Sequence, residues 1–246
     1  MQKVCLVTGG SRGIGAATAL LLAGKGYNIC VNYRTNKTKA QVLVEKIRNK
    51  GVKAIAAKAD VSDPRQVDRL FRTIDDNLGR LTALVNNAGV AGSRKKFLEV
   101  SDADFDAVLD VNFKGTVHCT RHALQRMALS RGGSGGAIVN ISSTVTTTGG
   151  IDLVAYVASK GAVEAFSLAV AKDYAKEGVR INVVRPSIVA TEQQPLEDLA
   201  WLERTKASIP VRRLGEPEDI AKVIAMLLSD EAAFMVGSVV DVTGGR

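Results

Sequence analysis

Only three cysteines, Cys5, Cys30 and Cys119, occur in the 246 residues, an odd number with no metal-ligand spacing. That argues against a disulfide framework or a cysteine-held metal. Cys5 and Cys30 fall in apolar runs and are expected to be buried thiols, which suits a reducing cytoplasm. Histidine is scarcer still. His118 and His122 lie four apart, a spacing that can hold a metal on a helix, but Cys119 would face away from them and no third ligand is evident. Neither sits in a serine-hydrolase triad context. Long apolar stretches are missing too: the run Val4–Val7 breaks at Thr8-Gly9-Gly10, too short for a signal-peptide core, and no stretch approaches membrane-spanning length. Internal repeats are absent. The small-residue stretch Arg131–Gly136 is too brief for a domain linker and is expected to be a helix-to-strand loop.

Charge is not scarce, but it is not patterned for nucleic acid. The formal net charge is +8, concentrated locally in Arg34, Lys37, Lys39, Lys46, Arg48, Lys50 and Lys53. No aromatic interleaving beyond Tyr33 and no nucleic-acid-binding signature accompanies it. A solvated helix face or attraction of an anionic ligand accounts for the cluster.

A chain of this size with 46% hydrophobic residues can bury one large core unaided. Short apolar runs recur at Val4–Thr8, Tyr27–Tyr33, Ala54–Ala59, Leu81–Asn86, Ala137–Ser142, Val179–Val184 and Ser238–Val242. Between them lie helical spacings, for example Val67, Leu70, Phe71 and Ile74. Near-continuous apolar strands alternating with helices predict an α/β fold: a single doubly wound, Rossmann-type parallel sheet of about seven strands covered on both faces. Ser62-Asp63-Pro64 and Gly79 mark the start and end of one helix, and Glu216-Pro217-Glu218-Asp219 opens another. One domain, residues 1–246, is expected.

Directly after the first strand stands Thr8-Gly9-Gly10-Ser11-Arg12-Gly13-Ile14-Gly15, leading into a helical pattern. Glycines at these positions permit a tight turn and close approach of backbone to a pyrophosphate, with free N–H groups and a partial positive charge at the helix start. Asn86-Asn87-Ala88-Gly89 follows the fourth strand, Asn112 lies in the next helix, Ser142-Ser143 ends the fifth strand, and Tyr156-Val157-Ala158-Ser159-Lys160 comes next. Each motif alone is short; the ordered set resembles the short-chain dehydrogenase/reductase family across essentially the whole chain, and most of all its 3-oxoacyl-carrier-protein reductase-like members.

The resemblance implies a catalytic set of Asn112, Ser143, Tyr156 and Lys160. Tyr156 and Lys160, four apart, would share one helix face. A free phenol ionises near pH ~10, and an ammonium at ~4 Å with an effective dielectric near ~20 would favour phenolate by ~4 kcal/mol. Tyr156 is therefore expected to act as an acid/base with a lowered pKa. Ser143 would steady charge on the substrate oxygen, Ser142 would bond backbone instead, and Asn112 would hold a water linking Lys160 to solvent.

For the cofactor, the resemblance implies contacts from Gly9, Ser11, Arg12, Gly13, Ile14, Gly15, Arg34, Asp60, Val61, Asn87, Ala88, Gly89, Tyr156, Lys160, Pro186, Ile188 and Thr191. The second strand ends in Asn32-Tyr33-Arg34-Thr35, with no carboxylate to accept a ribose hydroxyl. Arg34 and Arg12 can instead hold a 2′-phosphate, so NADP(H) is expected. Ser187 stands where the family commonly has glycine, which places the geometry after Pro186 in question. The substrate loop is expected near residues 187–210, with Gln193, Gln194, Pro195, Leu196, Leu199 and Trp201, and basic Ser93-Arg94-Lys95-Lys96 at the cleft rim.

These readings predict a cytoplasmic oxidoreductase that interconverts a small-molecule carbonyl and a secondary alcohol, with neither nucleic acid nor membrane as partner. The family resemblance implies a homotetramer. A 3-oxoacyl thioester is one candidate substrate and an acyl-carrier protein one candidate partner. Against the latter, Glu177 stands before Gly178 where carrier-dependent relatives often present a basic residue. A non-enzymatic NADP-binding sensor is the alternative, disfavoured because it would need the glycine turn but not Ser143, Tyr156 and Lys160.

Overall fold

The computed structural model describes residues 3–192 and 194–246. Seven parallel strands form one sheet: β1 (Val4–Val7), β2 (Asn28–Tyr33), β3 (Ala54–Lys58), β4 (Ala83–Asn86), β5 (Gly136–Ile141), β6 (Val179–Pro186) and β7 (Val239–Val242), in the order β3-β2-β1-β4-β5-β6-β7. The chain winds one way from β1 through β3, then crosses to β4 and winds the other way. The crevice at this reversal, outside the carboxyl ends of β1 and β4, is where a doubly wound sheet binds ligands.

Period-two alternation divides the core. Cys5 and Val7 point into one layer, and Val4 and Leu6 into the other. The first layer is covered by α1 (Gly13–Gly24), α2 (Lys37–Arg48) and α9 (Pro217–Leu228), the second by α3 (Pro64–Leu78), α5 (Gly115–Met127) and α7 (Val154–Tyr174). The shorter helices are α4 (Asp102–Leu109), α6 (Val145–Thr148) and α8 (Leu199–Ala207).

The local signals act as expected. Asp63 caps α3 by accepting from the Arg65 and Gln66 amides, Pro64 fills the first turn, and Gly79 ends the helix at φ +90°. Glu216 and Asp219 form a reciprocal capping box on α9. All three cysteines are free and buried.

The sequence reading needs correction in three places. The apolar pattern starts β4 at Leu81, but that strand begins at Ala83, preceded by Thr82, whose amide and hydroxyl both bond the Val4 backbone. Strand β6 continues two residues beyond the apolar run to Pro186, which puts Arg185 inside the sheet. The third concerns membrane-spanning length: the helical stretch Val154–Glu177 is long and apolar enough for it, with mean hydropathy 1.3. A third of that apolar window is buried, and the helix packs on β6 and α4 with Lys160 buried. Among the described residues no other helix meets that criterion.

Phe71 of α3 is fully buried, stacked on His122 of α5 at 5.2 Å between ring centroids and covered by the Arg126 guanidinium. Arg126 in turn pairs with Asp75, so one aromatic seam holds α3 against α5. Phe71→Ala is expected to destabilise the protein by about 3–5 kcal/mol, read from equilibrium denaturation; a loss below about 1 kcal/mol would mean that the seam is not a core contact.

Candidate active site

The first β-to-α turn is shaped by contacts that only glycine allows. Gly9 and Gly13 have φ of +58° and +52°. A Cβ on Gly15 would lie 2.6 Å from Asn87 Nδ2 and 2.8 Å from the Gly9 carbonyl. That is closer than real Cβ contacts allow, so α1 starts hard against the strand end. Asn87 stitches the turn to β4: its Nδ2 donates to the carbonyls of Thr8 and Gly9, at 2.9 and 3.1 Å. The Thr8 hydroxyl accepts from the Asn87 and Ala88 amides, both at 3.0 Å. Ser11 and Ile14 belong to the same turn, and Thr191 closes it from the far side, 3.1 Å from where a Gly13 Cβ would stand. Backbone N–H groups at a helix start set this close to a strand end are the usual setting for binding phosphate.

Cations gather at the outer end of the turn. Arg34 lies 3.7 Å from Asp60, whose Oδ1 also accepts from the Ser62 amide and hydroxyl. Arg12 and Lys39 both reach Glu192, at 3.2 and 2.5 Å. Two positive side chains from different elements therefore converge closely enough to share one anionic group. Lys39 is a residue that the sequence reading left inside a generic basic cluster, and Glu192 was not singled out at all. Their pairing spans 153 positions, and no local pattern announces it. Val61 packs under Gly115, and its carbonyl lies 3.2 Å from His118 Nδ1. The two histidines are ordinary helix residues, and no metal-holding cluster occurs among the described residues.

At the carboxyl ends of β4 and β5 the expected catalytic set comes together. Lys160 is 4% exposed, and its Nζ donates to the Ile141 carbonyl at 2.7 Å. Burial pushes its pKa down to about 8. The same Nζ lies 5.7 Å from the centre of the Tyr156 ring. Ser143 lies close enough to the Tyr156 phenol to act on its pKa. The direction of the phenol's pKa differs from expectation: burial raises it, and Ser143 opposes the rise. Burial of the phenol is the dominant cause, while the Lys160 ammonium is engaged by the Ile141 carbonyl at the end of β5.

Asn112 stands in a wide π-type turn, Asp110–Lys114, inserted between α4 and α5. It is fully buried: Oδ1 accepts from the Val90 amide at 2.8 Å, and Nδ2 donates to the Val90 carbonyl and to Ser159 Oγ, each at 2.9 Å. The Ser159 hydroxyl donates to the Tyr156 carbonyl at 2.7 Å. Asn112 thus ties the loop after Gly89 to the helix that carries Tyr156. Ser142 is a further correction. Its hydroxyl does not bond backbone but donates to Glu164 Oε1 at 2.5 Å.

The loop after β6 carries Pro186, Ser187, Ile188 and Thr191. Ser187 does not need glycine's freedom: among the described residues only Asp152 and Arg212 are non-glycine residues with positive φ. Its hydroxyl is buried with no protein partner. In the substrate loop Asp198 caps α8 by accepting from the Trp201 amide at 2.9 Å, and Trp201 is half-buried. Gln193 lies outside the described residues. Lys95 pairs with Asp104 and its amide bonds the Asp152 carbonyl, which draws the basic rim segment toward α7.

The chain is similar to known oxidoreductases over its whole length. Residues 9–246 match the family model described as enoyl-(acyl carrier protein) reductase. The chain is 42% identical to the uncharacterized oxidoreductase YgfF of Escherichia coli K12, with full coverage of both. It is 36% identical to the 3-oxoacyl-[acyl-carrier-protein] reductase FabG of Staphylococcus aureus, covering 100% of this chain and 98% of that one. A solved structure from Sinorhizobium meliloti, assigned as a short-chain alcohol dehydrogenase, superposes with a TM-score of 0.92 at 33% identity, covering 100% of this chain and 96% of that one.

The depressed Lys160 pKa has a signed consequence for stability. Between pH about 8 and the ordinary lysine value the unfolded chain binds the proton that the folded chain has released, so this group adds stability as pH rises through that window. Relative to Lys160→Met, the wild-type unfolding free energy should rise between pH 7 and pH ~10; parallel curves would show that the amine is not desolvated. Gly15→Ala should retain native circular dichroism and lose dinucleotide affinity by fluorescence titration.

Proposed function

The chain belongs to the short-chain dehydrogenase/reductase family, and we propose that it is an NADP(H)-dependent oxidoreductase that interconverts a carbonyl and a secondary alcohol. The observation that carries the reading is the buried Lys160, bonded to the Ile141 carbonyl one helical turn from Tyr156, with Ser143 beside the phenol. A scaffold that only bound a dinucleotide would need the turn, and would gain nothing from a desolvated amine at the sheet edge.

The residues fit the cofactor on three counts: the glycine cradle, the cations Arg12 and Lys39 that converge on Glu192 with Arg34 paired to Asp60, and the partnerless buried hydroxyl of Ser187. Arg12 and Lys39 would hold the 2′-phosphate with Arg34 beside them. Gly9, Gly13 and Gly15 would admit the diphosphate, Asp60 and Val61 would border the adenine, and Asn87, Ala88, Gly89, Pro186, Ile188 and Thr191 would line the rest of the cleft. When bound, the nicotinamide supplies or accepts hydride.

The chain's own residues handle the proton and the developing charge. Ser143 holds the substrate oxygen against Tyr156 Oη, and Tyr156 gives that oxygen its proton as the carbonyl carbon receives hydride. Lys160, protonated near neutral pH, supplies positive potential that favours the phenolate left behind. Oxidised nicotinamide would add to that field and offset the penalty of burying the phenolate. Asn112 keeps the Gly89–Val90 loop and the Tyr156 helix in register, and a water beside it would refill the proton through Lys160.

Within this reading 3-oxoacyl thioesters are one substrate class, supported by the full-length likeness to the staphylococcal reductase. An acyl-carrier protein partner is less supported, because Glu177 is engaged with the Ser130 amide and leaves a carboxylate where a cation would serve. A homotetramer is supported by the open edge of the sheet at β7, where Val236 and Val239 are part-exposed and Phe234 is wholly exposed. Three free thiols suit a reducing cytoplasm.

NADPH oxidation across acetoacetyl thioesters, diketones, sugars and quinones tests the reading. Tyr156→Phe is expected to cost ~10²–10⁴-fold in turnover; full turnover would remove Tyr156 as the acid. Arg34→Ala should raise KM for NADPH and leave KM for NADH unchanged, whereas equal use of both cofactors before and after the change would overturn the assignment to NADP(H).

A further inference from the structure

Glu164 has no place in the chemistry described so far, yet it lies at the centre of the most highly connected polar cluster outside the glycine turn. It is the third member of a stripe on α7: Tyr156, Lys160 and Glu164 are spaced by four and share one helix face. Its Oε1 accepts from Ser142 Oγ at 2.5 Å, from Thr146 Oγ1 at 2.9 Å and from Arg185 Nε at 3.1 Å; Oε2 accepts from Arg185 Nη2 at 3.0 Å. Ser142 and Thr146 flank Ser143 on either side. Thr146 Oγ1 also lies 2.9 Å from the Ser143 carbonyl, so one hydroxyl proton is shared between that carbonyl and Glu164. Arg185 stands at the end of β6 next to Pro186, and its other terminal nitrogen reaches Asp241 of β7 at 3.2 Å.

We propose that Glu164 is a positioning residue that clamps the Ser143 segment to the helix carrying Tyr156 and Lys160, and so sets the Ser143–Tyr156 distance on which proton transfer depends. The inference rests on the acid/base reading of Tyr156. Ser143 lies just past the exit of β5, where the regular ladder to β6 has ended and two single backbone bonds remain. The Ser142 amide still donates to Val184 and that of Thr144 to Pro186, but neither bond fixes the rotation of the segment toward α7. A carboxylate that receives hydrogen bonds from both sides of Ser143 does. Burial raises the Glu164 pKa, but the hydrogen bonds from Arg185, Ser142 and Thr146 outweigh it, so the acceptor stays ionised. With side-chain exposures of 17% and 14%, Glu164 and Arg185 form a charge-assisted, two-point contact largely shielded from water. The same guanidinium fixes the start of the Pro186–Thr191 loop, so one carboxylate links the serine, the tyrosine helix and the loop on the opposite side of the cleft.

The test compares wild type with Glu164→Gln, with Ser142→Ala/Thr146→Val, with Ser143→Ala, and with Glu164→Gln/Ser143→Ala. NADPH is the cofactor and an acetoacetyl thioester the substrate. Turnover is read together with amide hydrogen exchange, which needs no substrate and therefore decides the matter even if the thioester is not reduced. The expected result is faster exchange confined to residues 142–148 in both Glu164→Gln and Ser142→Ala/Thr146→Val, with α9 and the NADPH dissociation constant unchanged. The expected kcat falls roughly ten- to hundredfold, as for an atom misplaced by about 1 Å. In the Ser143→Ala background Glu164→Gln should cost nothing further, because the clamp acts only through Ser143.

Unchanged exchange at 142–148 overturns the proposal, as does an equal loss in both backgrounds, or faster exchange with unaltered turnover. Exchange that rises throughout the protein assigns Glu164 to general stability and also overturns it. If Ser143→Ala itself turns over like wild type, the acid/base reading falls; if Ser143→Ala is impaired and Glu164→Gln is not, only the clamp falls.

Discussion

A lysine ammonium held away from water at the carboxyl edge of the sheet is the constraint around which the rest is arranged. Desolvating a charge is costly, and the protein answers with the free carbonyl of Ile141 at the end of β5. The strand ends at that residue, and Ser142 and Ser143 follow it directly. One buried amine thus joins the end of β5 to the face of α7.

The sheet transmits this order through a buried polar chain. Asn86 of β4 donates to Asn140 of β5 at 2.8 Å, Asn140 donates to Ser167 of α7 at 2.8 Å, and Asn86 also approaches Thr120 of α5 at 3.2 Å. Each amide is satisfied, so the network specifies register rather than merely costing desolvation. It locks α5 and α7 to the strand ends directly below the site, and Asn112 repeats the arrangement above it through Val90 and Ser159. The glycine turn is joined to the same frame by Asn87. The glycine turn and the ends of β4 and β5 are thereby joined along a single edge of the sheet.

The fold was legible because its signals are local. Apolar runs of strand length, the cap at Asp63, the turn glycines and the four-residue spacing of Tyr156 and Lys160 each follow from a short stretch of chain. The same holds for Ser143, whose separation from Tyr156 is short and fixed. What escaped were pairings across the sequence. Glu192 meets Arg12 and Lys39 from a distant loop, and Ser142 was assigned to backbone because its carboxylate partner lies 22 positions on. Glu164 carried a local signal, since it continues the Tyr156–Lys160 spacing by one more turn, but a lone glutamate on a helix gives no sign of what it faces.

The sequence by itself determined the alternation of strands and helices, the glycine turn at the switch point and the spacing that puts Tyr156 and Lys160 on one helix face, since these depend on backbone conformation and helical period. Only the tertiary structure decided how the charges are balanced. It turned the Lys160 ammonium toward Ile141, raised rather than lowered the Tyr156 phenol, and brought Glu164 against both sides of Ser143. Electrostatics depends on distance and burial through space, and neither is set until the sheet has closed its two layers around the site.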